Sequence, residues 1–137
     1  MIGVLLMSHG PLAAGMLKSA ELFFGENIKQ VEALCLEAED DLDGFDEQIE
    51  TAIARLDSGA GVIVLCDLLG GTPCNRSARF ANKNVQVITG MNFSMILELL
   101  GKRMSAKDLN DIDIESLIKV GQRGIISLNQ FLRNPLD

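Results

Sequence analysis

Hydrophobic positions along this chain form two alternating patterns: short unbroken apolar runs, and longer stretches in which apolar residues recur every three or four positions. The runs at 2–7, 29–36, 61–66 and 84–88 predict strands. The stretches at about 11–24, 42–57, 73–82 and 94–101 predict helices, the second carrying Phe45, Ile49, Ile53 and Leu56 on one face. Strict alternation of this kind is the signature of βαβ units and a parallel sheet. The first and third runs are almost wholly apolar, as central strands covered on both faces must be, whereas Lys29, Gln30 and Glu32 interrupt the second and place it nearer an edge. The expected fold is therefore α/β, a doubly wound and mainly parallel sheet of strand order 2-1-3-4, with the first helix on one face and the later ones on the other.

The remaining boundaries are read from local chemistry. Pro11 and Pro73 each suit a helix's first turn, and Thr72 suits the N-cap before Pro73. The acidic run Glu37-Ala38-Glu39-Asp40-Asp41 precedes Leu42 as a solvated helix start. Downstream, Ser105-Ala106-Lys107-Asp108 is expected to open a helix that turns Leu109, Ile112, Leu117 and Ile118 to the core ahead of Gly121. A short strand at 124–128 follows, to close an edge of its own sheet or that of another subunit. A chain of 137 residues fits one domain, 1–137, with no repeat, linker or low-complexity segment.

Composition narrows the function classes. Net charge is −7, which leaves no footprint for a nucleic-acid backbone. No apolar run approaches the roughly 20 residues that span a bilayer, and the start lacks the basic region of a secretory signal, so a cytoplasmic location is expected. Cys35, Cys66 and Cys74 are odd in number and form no C-x-x-C pair, which argues against a disulfide framework or a zinc site. Cys35 and Cys66 read as core thiols, and Cys74 has no second histidine to activate it. Neither a metal nor an organic cofactor is expected.

Chemistry concentrates where two apolar runs break. The first ends in Ser8-His9-Gly10-Pro11, and His9 is the chain's only histidine; the third ends in Asp67-Leu68-Leu69-Gly70-Gly71-Thr72-Pro73. If those strands are neighbours, the imidazole and the carboxylate meet at the carboxyl edge of the sheet, where open α/β folds place their sites. Asp67 accepting from Nδ1–H would hold the ring and leave Nε2 free as a nucleophile. Gly70-Gly71-Thr72 at a helix start offers backbone amides and a hydroxyl to an anion, with phosphoryl the natural guest. No Walker loop and no G-x-G-x-x-G occurs, so a group carried on His9 fits better than a bound nucleotide. Taken singly, His9 also reads as a turn residue, Asp67 as a cap for the following loop and Gly70-Gly71 as a tight turn; their convergence on one edge is what favours chemistry.

These segments, with Thr89-Gly90-Met91-Asn92-Phe93-Ser94 before the fourth helix, resemble the EIIA component of the mannose-class bacterial sugar phosphotransferase system. Asp67-Leu68-Leu69-Gly70-Gly71-Thr72-Pro73-Cys74-Asn75 is the most specific part. The resemblance implies a phosphocarrier: enzyme I, charged by phosphoenolpyruvate, charges HPr, which phosphorylates His9 on Nε2. The group then passes to a histidine of a separate EIIB component, and the membrane components EIIC and EIID follow. It also implies that Asp67 bonds the other ring nitrogen, that Gly71 and Thr72 hold the phosphoryl oxygens, and that the protein is a homodimer whose C-terminal strand crosses to the partner subunit. Leu12, Met16, Leu68 and Leu69 are the candidate docking residues. Phe93-Ser94 departs from the leucine-proline pair of many members, which bears on the choice of EIIB. Asn134-Pro135-Leu136-Asp137 leaves no room for a fused EIIB segment. The competing readings are the carrier domain of a dihydroxyacetone-kinase system and a noncatalytic sensor of a small phosphorylated ligand.

Overall fold

In the computed structural model, which describes residues 1–133, four parallel strands pair in the order β2-β1-β3-β4. They are β1 (Gly3–His9), β2 (Val31–Leu36), β3 (Val62–Cys66) and β4 (Val85–Thr89). The helices α1 (Leu12–Phe24), α2 (Leu42–Leu56) and α3 (Thr72–Ser77) fill the crossovers, with a 3-10 turn at Ala78–Phe80 extending the third. After β4 come α4 (Phe93–Lys102), a second 3-10 turn at Leu109–Asp111, α5 (Ile114–Arg123) and α6 (Leu128–Arg133). The strand order is the one the apolar pattern predicts. Residues Asn134-Pro135-Leu136-Asp137, from which the absence of a fused segment was expected, lie outside the described residues.

Alternation along the central strands divides the core into two layers. Val4 and Leu6 of β1, with Ile63 and Leu65 of β3, pack against Ala13 and Ala20 of α1 and Ile96, Leu99 and Leu100 of α4. Leu5 and Met7, with Val62, Val64 and Cys66, pack against Phe45, Ile49, Ala52 and Leu56 of α2. Every residue from Val4 to Met7 and from Val62 to Cys66 is fully buried, as central parallel strands require. The helices are divided differently from the expectation that only the first stands apart from the others. α1 shares its face with α4 and α5, and α2 shares the opposite face with α3. One helix of 13 residues cannot cover that face of four strands, so the chain leaving the edge strand β4 folds back beside α1 and covers the rest.

Two further expectations are corrected. The helix anticipated from Ser105 begins at Ile114, where Asp113 accepts from the Ser116 amide at 3.1 Å. Upstream, Asp108 caps only the short turn at Leu109–Asp111, and the Leu109 amide is bonded to Ala60 O, which holds the segment against the chain entering β3. Ile112 and Leu117 are nevertheless buried, and Leu109 and Ile118 pack on the same core. The strand expected at 124–128 does not form. Residues 125–127 are irregular and α6 starts at Leu128, because Ser127 Oγ accepts from the Gln130 amide and Ser127 O from that of Phe131. Ser127-x-x-Gln130 is a helix-start signal that the apolar run Gly124-Ile125-Ile126 masks. Ile125, Ile126, Leu128, Phe131 and Leu132 are all exposed.

Helix starts follow the caps that the sequence offers. Asp41 Oδ2 accepts from Gly44 N at the head of α2, as the acidic run implies. Asn92 Oδ1 accepts from Met95 N at the head of α4, and its Nδ2 donates to Gly121 O, tying α4 to the end of α5. Pro11, expected in the first turn of α1, is its N-cap, whereas Thr72, expected as the N-cap of α3, is its first helical residue and Gly71 holds the cap position.

At the opposite edge of the sheet, Arg103 is 4% exposed and makes no ion pair among the described residues. Its guanidinium instead donates to Ile2 O and Gln30 O at 2.9 Å and to Lys29 O at 2.5 Å, clamping the entries to β1 and β2 beneath the end of α4. Burial alone pulls its pKa below the ordinary arginine value. Arg103→Met removes these charge-assisted bonds and is expected to destabilise the fold by about 3 kcal/mol, read from urea midpoints.

Candidate functional site

The carboxyl edge of the sheet gathers the sequence-selected residues. His9 is the last residue of β1, paired in register with Leu36 of β2, while Asp67 is the first residue after β3. Because β1 and β3 are direct neighbours, the two side chains meet: His9 Nδ1 lies 2.9 Å from Asp67 Oδ2. The same oxygen accepts from the His9 backbone N–H at 2.9 Å, and Oδ1 accepts from Leu68 N at 2.9 Å. Asp67 N in turn donates to Met7 O. The carboxylate is thus fixed from three directions.

The Asp67 side chain is 8% exposed and that of His9 45%. Burial pushes the Asp67 carboxyl upward, but bonds from the His9 amide and imidazole, the positive character of that ring and the Leu68 amide outweigh it, leaving the pKa below its ordinary 3.8. An ionised carboxylate only accepts hydrogen bonds, so Nδ1 carries the proton and the lone pair resides on Nε2. The arrangement supplies an oriented nitrogen nucleophile together with a buried negative charge that balances positive charge developing on the ring.

The loop from Leu68 to α3 lies against that ring. A Cβ built on Gly71 would fall 2.6 Å from His9 Cε1 and 3.3 Å from Nε2, so only glycine lets the imidazole lie where it does. The Gly71 amide is already used, donating to Leu68 O at 3.2 Å, so it closes the turn. Thr72 opens α3 and is half-buried, with no side-chain hydrogen bond among the described residues. Of the donors that the sequence places here, the Thr72 hydroxyl is therefore free and the Gly71 amide is engaged.

On the other side of His9 an open groove is lined by Leu12, Gly15, Met16, Ser19 and Phe93. Leu12 is exposed and Met16 half-buried against the core, so the structure brings both to the rim of the imidazole. Leu68 and Leu69, 59% and 83% exposed, stand in the loop that follows Asp67. Phe93 meets Phe23 of α1 edge to face, with ring centroids 5.8 Å apart, extending this apolar surface along the helix. Sequence reasoning did not pick out Phe23, whose signal is its place at the end of the stripe through Leu12, Met16 and Ser19.

The cysteines stand aside from this chemistry. Cys66 and Cys74 are buried and Cys35 half-buried. Burial, only partly opposed by the Ser77 hydroxyl 3.2 Å away, pushes the Cys66 thiol up to about 12, which keeps it neutral. No group of three potential metal ligands occurs among the described residues.

The chain is similar to known proteins over nearly its whole length. Residues 3–114 match the family model EIIA-man, described as PTS system fructose IIA component. The mannose-specific EIIAB component of Escherichia coli strain K12 is 27% identical over 129 residues, covering 93% of this chain and 39% of that longer protein. The fructose-specific EIIA component of Bacillus subtilis is 27% identical over 113 residues, covering 80% of this chain and 77% of its own. The PTS IIA protein associated with the fucose utilization operon of Streptococcus pneumoniae has a crystal structure that superposes with a TM-score of 0.85, at 34% identity and 95% coverage of each chain.

Proposed function

This chain belongs to the EIIA-man family of the sugar phosphotransferase system, and from that premise we propose that it is a phosphocarrier whose His9 Nε2 takes a phosphoryl group from HPr and passes it to an EIIB component. The observation that carries the reading is the 2.9 Å contact between His9 Nδ1 and Asp67 Oδ2, which commits Nε2 to the outward side. In the forward step the Nε2 lone pair attacks phosphorus as the bond from phosphorus to the donor breaks, and Nδ1 keeps its proton throughout. The imidazolium character this creates faces an ionised Asp67. The Thr72 hydroxyl then donates to a phosphoryl oxygen, and Gly71 serves by leaving room for the ring as well as by shaping the turn.

A carrier needs in-line access for two proteins in succession, and an open groove suits that better than a closed pocket. Leu12, Met16, Leu68 and Leu69 form the apolar contact around the transferred group, and the chain's charge of −7 favours an HPr face with basic residues. The exposed apolar residues of segment 125–132 are buried by a second copy, which makes the working unit a homodimer. No helix among the described residues is long and apolar enough to cross a membrane, consistent with a cytoplasmic component that serves membrane-bound EIIC and EIID through EIIB. The dihydroxyacetone-kinase and sensor readings have no observation of their own in their favour.

Incubation with phosphoenolpyruvate, enzyme I and HPr is expected to add one phosphoryl group, about 80 Da by intact mass, that acid removes. No addition from demonstrably charged HPr would overturn the reading. Gly71→Ala tests the site's packing in the same assay. At φ −77° an alanine is unstrained, so its effect is purely the collision with the imidazole. Phosphoryl uptake should fall by roughly tenfold or more with little change in melting temperature.

A further inference from the structure

Ser8 is fully buried immediately before the one histidine, and its hydroxyl is bonded to two backbone groups that follow that residue in the chain. Oγ donates to Gly10 O at 2.9 Å and accepts from Ala13 N at 2.8 Å. The second bond is a helix cap by proxy: Pro11 holds the N-cap position of α1 and supplies no side-chain acceptor, so the first-turn amide of Ala13 is satisfied from Ser8 instead. The first bond pins the carbonyl of Gly10, whose φ of +58° makes the sharp exit from β1. His9 is thus enclosed between Ser8 and Gly10, and Gly10 is further held by donation from its N to Leu36 O at 2.8 Å.

We propose that Ser8 is a positioning residue for phosphoryl transfer: its hydroxyl closes the β1–α1 turn around His9 and so fixes the imidazole with Nδ1 on Asp67 and Nε2 toward the partner. This inference rests on the phosphocarrier reading for its rate consequence alone; the effect on the ring stands on geometry. A strand end followed by a glycine of positive φ is a pivot, and Asp67 grips His9 from one side only. Without the hydroxyl, Gly10 O and Ala13 N lose their shared partner inside the fold, the turn re-forms to satisfy them, and the Cα–Cβ direction of His9 changes with it. An imidazole free in water favours the form protonated on Nε2; the tether to Asp67 imposes the opposite form, so the tautomer reports whether the ring is still in place.

The test is nitrogen NMR of histidine-labelled protein, where His9 gives the only histidine signals, combined with the rate of phosphoryl uptake from HPr. Wild type is expected to show Nδ1 protonated and Nε2 bare. Ser8→Ala, examined well below its melting transition, should move toward the Nε2-protonated form and take up phosphoryl roughly tenfold more slowly. Ser8→Thr, which keeps the hydroxyl, should restore both. A folded Ser8→Ala protein with wild-type tautomer and rate would reduce Ser8 to a structural cap and overturn the proposal, as would a Ser8→Thr protein that behaves like Ser8→Ala. Absence of uptake in wild type would instead remove the phosphocarrier reading and leave the tautomer comparison to decide on Ser8.

Discussion

His9→Ala is expected to stay folded and to accept no phosphoryl group at all. The imidazole caps no helix and pairs with no strand; the ladder contacts of residue 9 are made by its backbone, which the substitution keeps. Its side chain is 45% exposed, so truncation removes little buried surface. Asp67 loses the Nδ1 donor but retains the amides of residues 9 and 68. Stability should therefore change by about 1 kcal/mol or less, measured by urea denaturation. Uptake has no substitute imidazole, since the chain holds no other histidine. Residual labelling at a wild-type level would place the acceptor elsewhere.

Asp67→Ala should slow transfer by on the order of tenfold to a thousandfold without abolishing it, because the carboxylate orients the ring and balances charge but forms no bond to phosphorus. This variant also strips the acceptor from two backbone amides, so some loss of stability, about 1–3 kcal/mol, accompanies it. Asp67→Asn separates the effects in part: its amide oxygen still accepts on one side, while the negative charge and one of the two acceptor oxygens are lost. Acid titration gives a second check. A carboxyl whose folded pKa lies below its unfolded value contributes stability that is fully present above the unfolded value, 3.8 here, and is lost as pH falls through the folded one. The stability gap between wild type and Asp67→Asn should thus be present above about pH 4 and close below it. A gap that failed to close between about pH 4 and pH 2 would show that Asp67 is not held ionised by the His9 turn.

How much of this was legible beforehand depended on the range of the interaction. Strand order and the meeting of His9 with Asp67 follow from two wholly apolar runs, since only central neighbours are covered on both faces, and the residues ending such runs share an edge. The placing of α4 and α5 beside α1 does not follow from any local pattern; it depends on how much of one sheet face remains bare after the crossovers are made. The end of the chain misled because Gly124-Ile125-Ile126 has a strand's composition while Ser127 carries a helix's start, and hydrogen bonding within the segment decided between them. At the site, glycine at position 71 was read as a donor to an anion. Its amide is bonded within the turn, and a Cβ at this position would meet the His9 ring, a contact across 62 residues of sequence that no motif displays. Ser8 was visible only as the neighbour of a histidine, because a capping bond that skips the N-cap residue leaves no signature in spacing.

The most direct measurement is phosphorus–nitrogen NMR of the charged, histidine-labelled protein. With a single histidine, any coupling of phosphorus to nitrogen identifies His9, and the two ring nitrogens are distinguished by their shifts. The account predicts phosphorus bonded to Nε2 with Nδ1 still protonated and tied to Asp67. Phosphorus on Nδ1, or phosphate retained by the protein with no bond to either ring nitrogen, would contradict it.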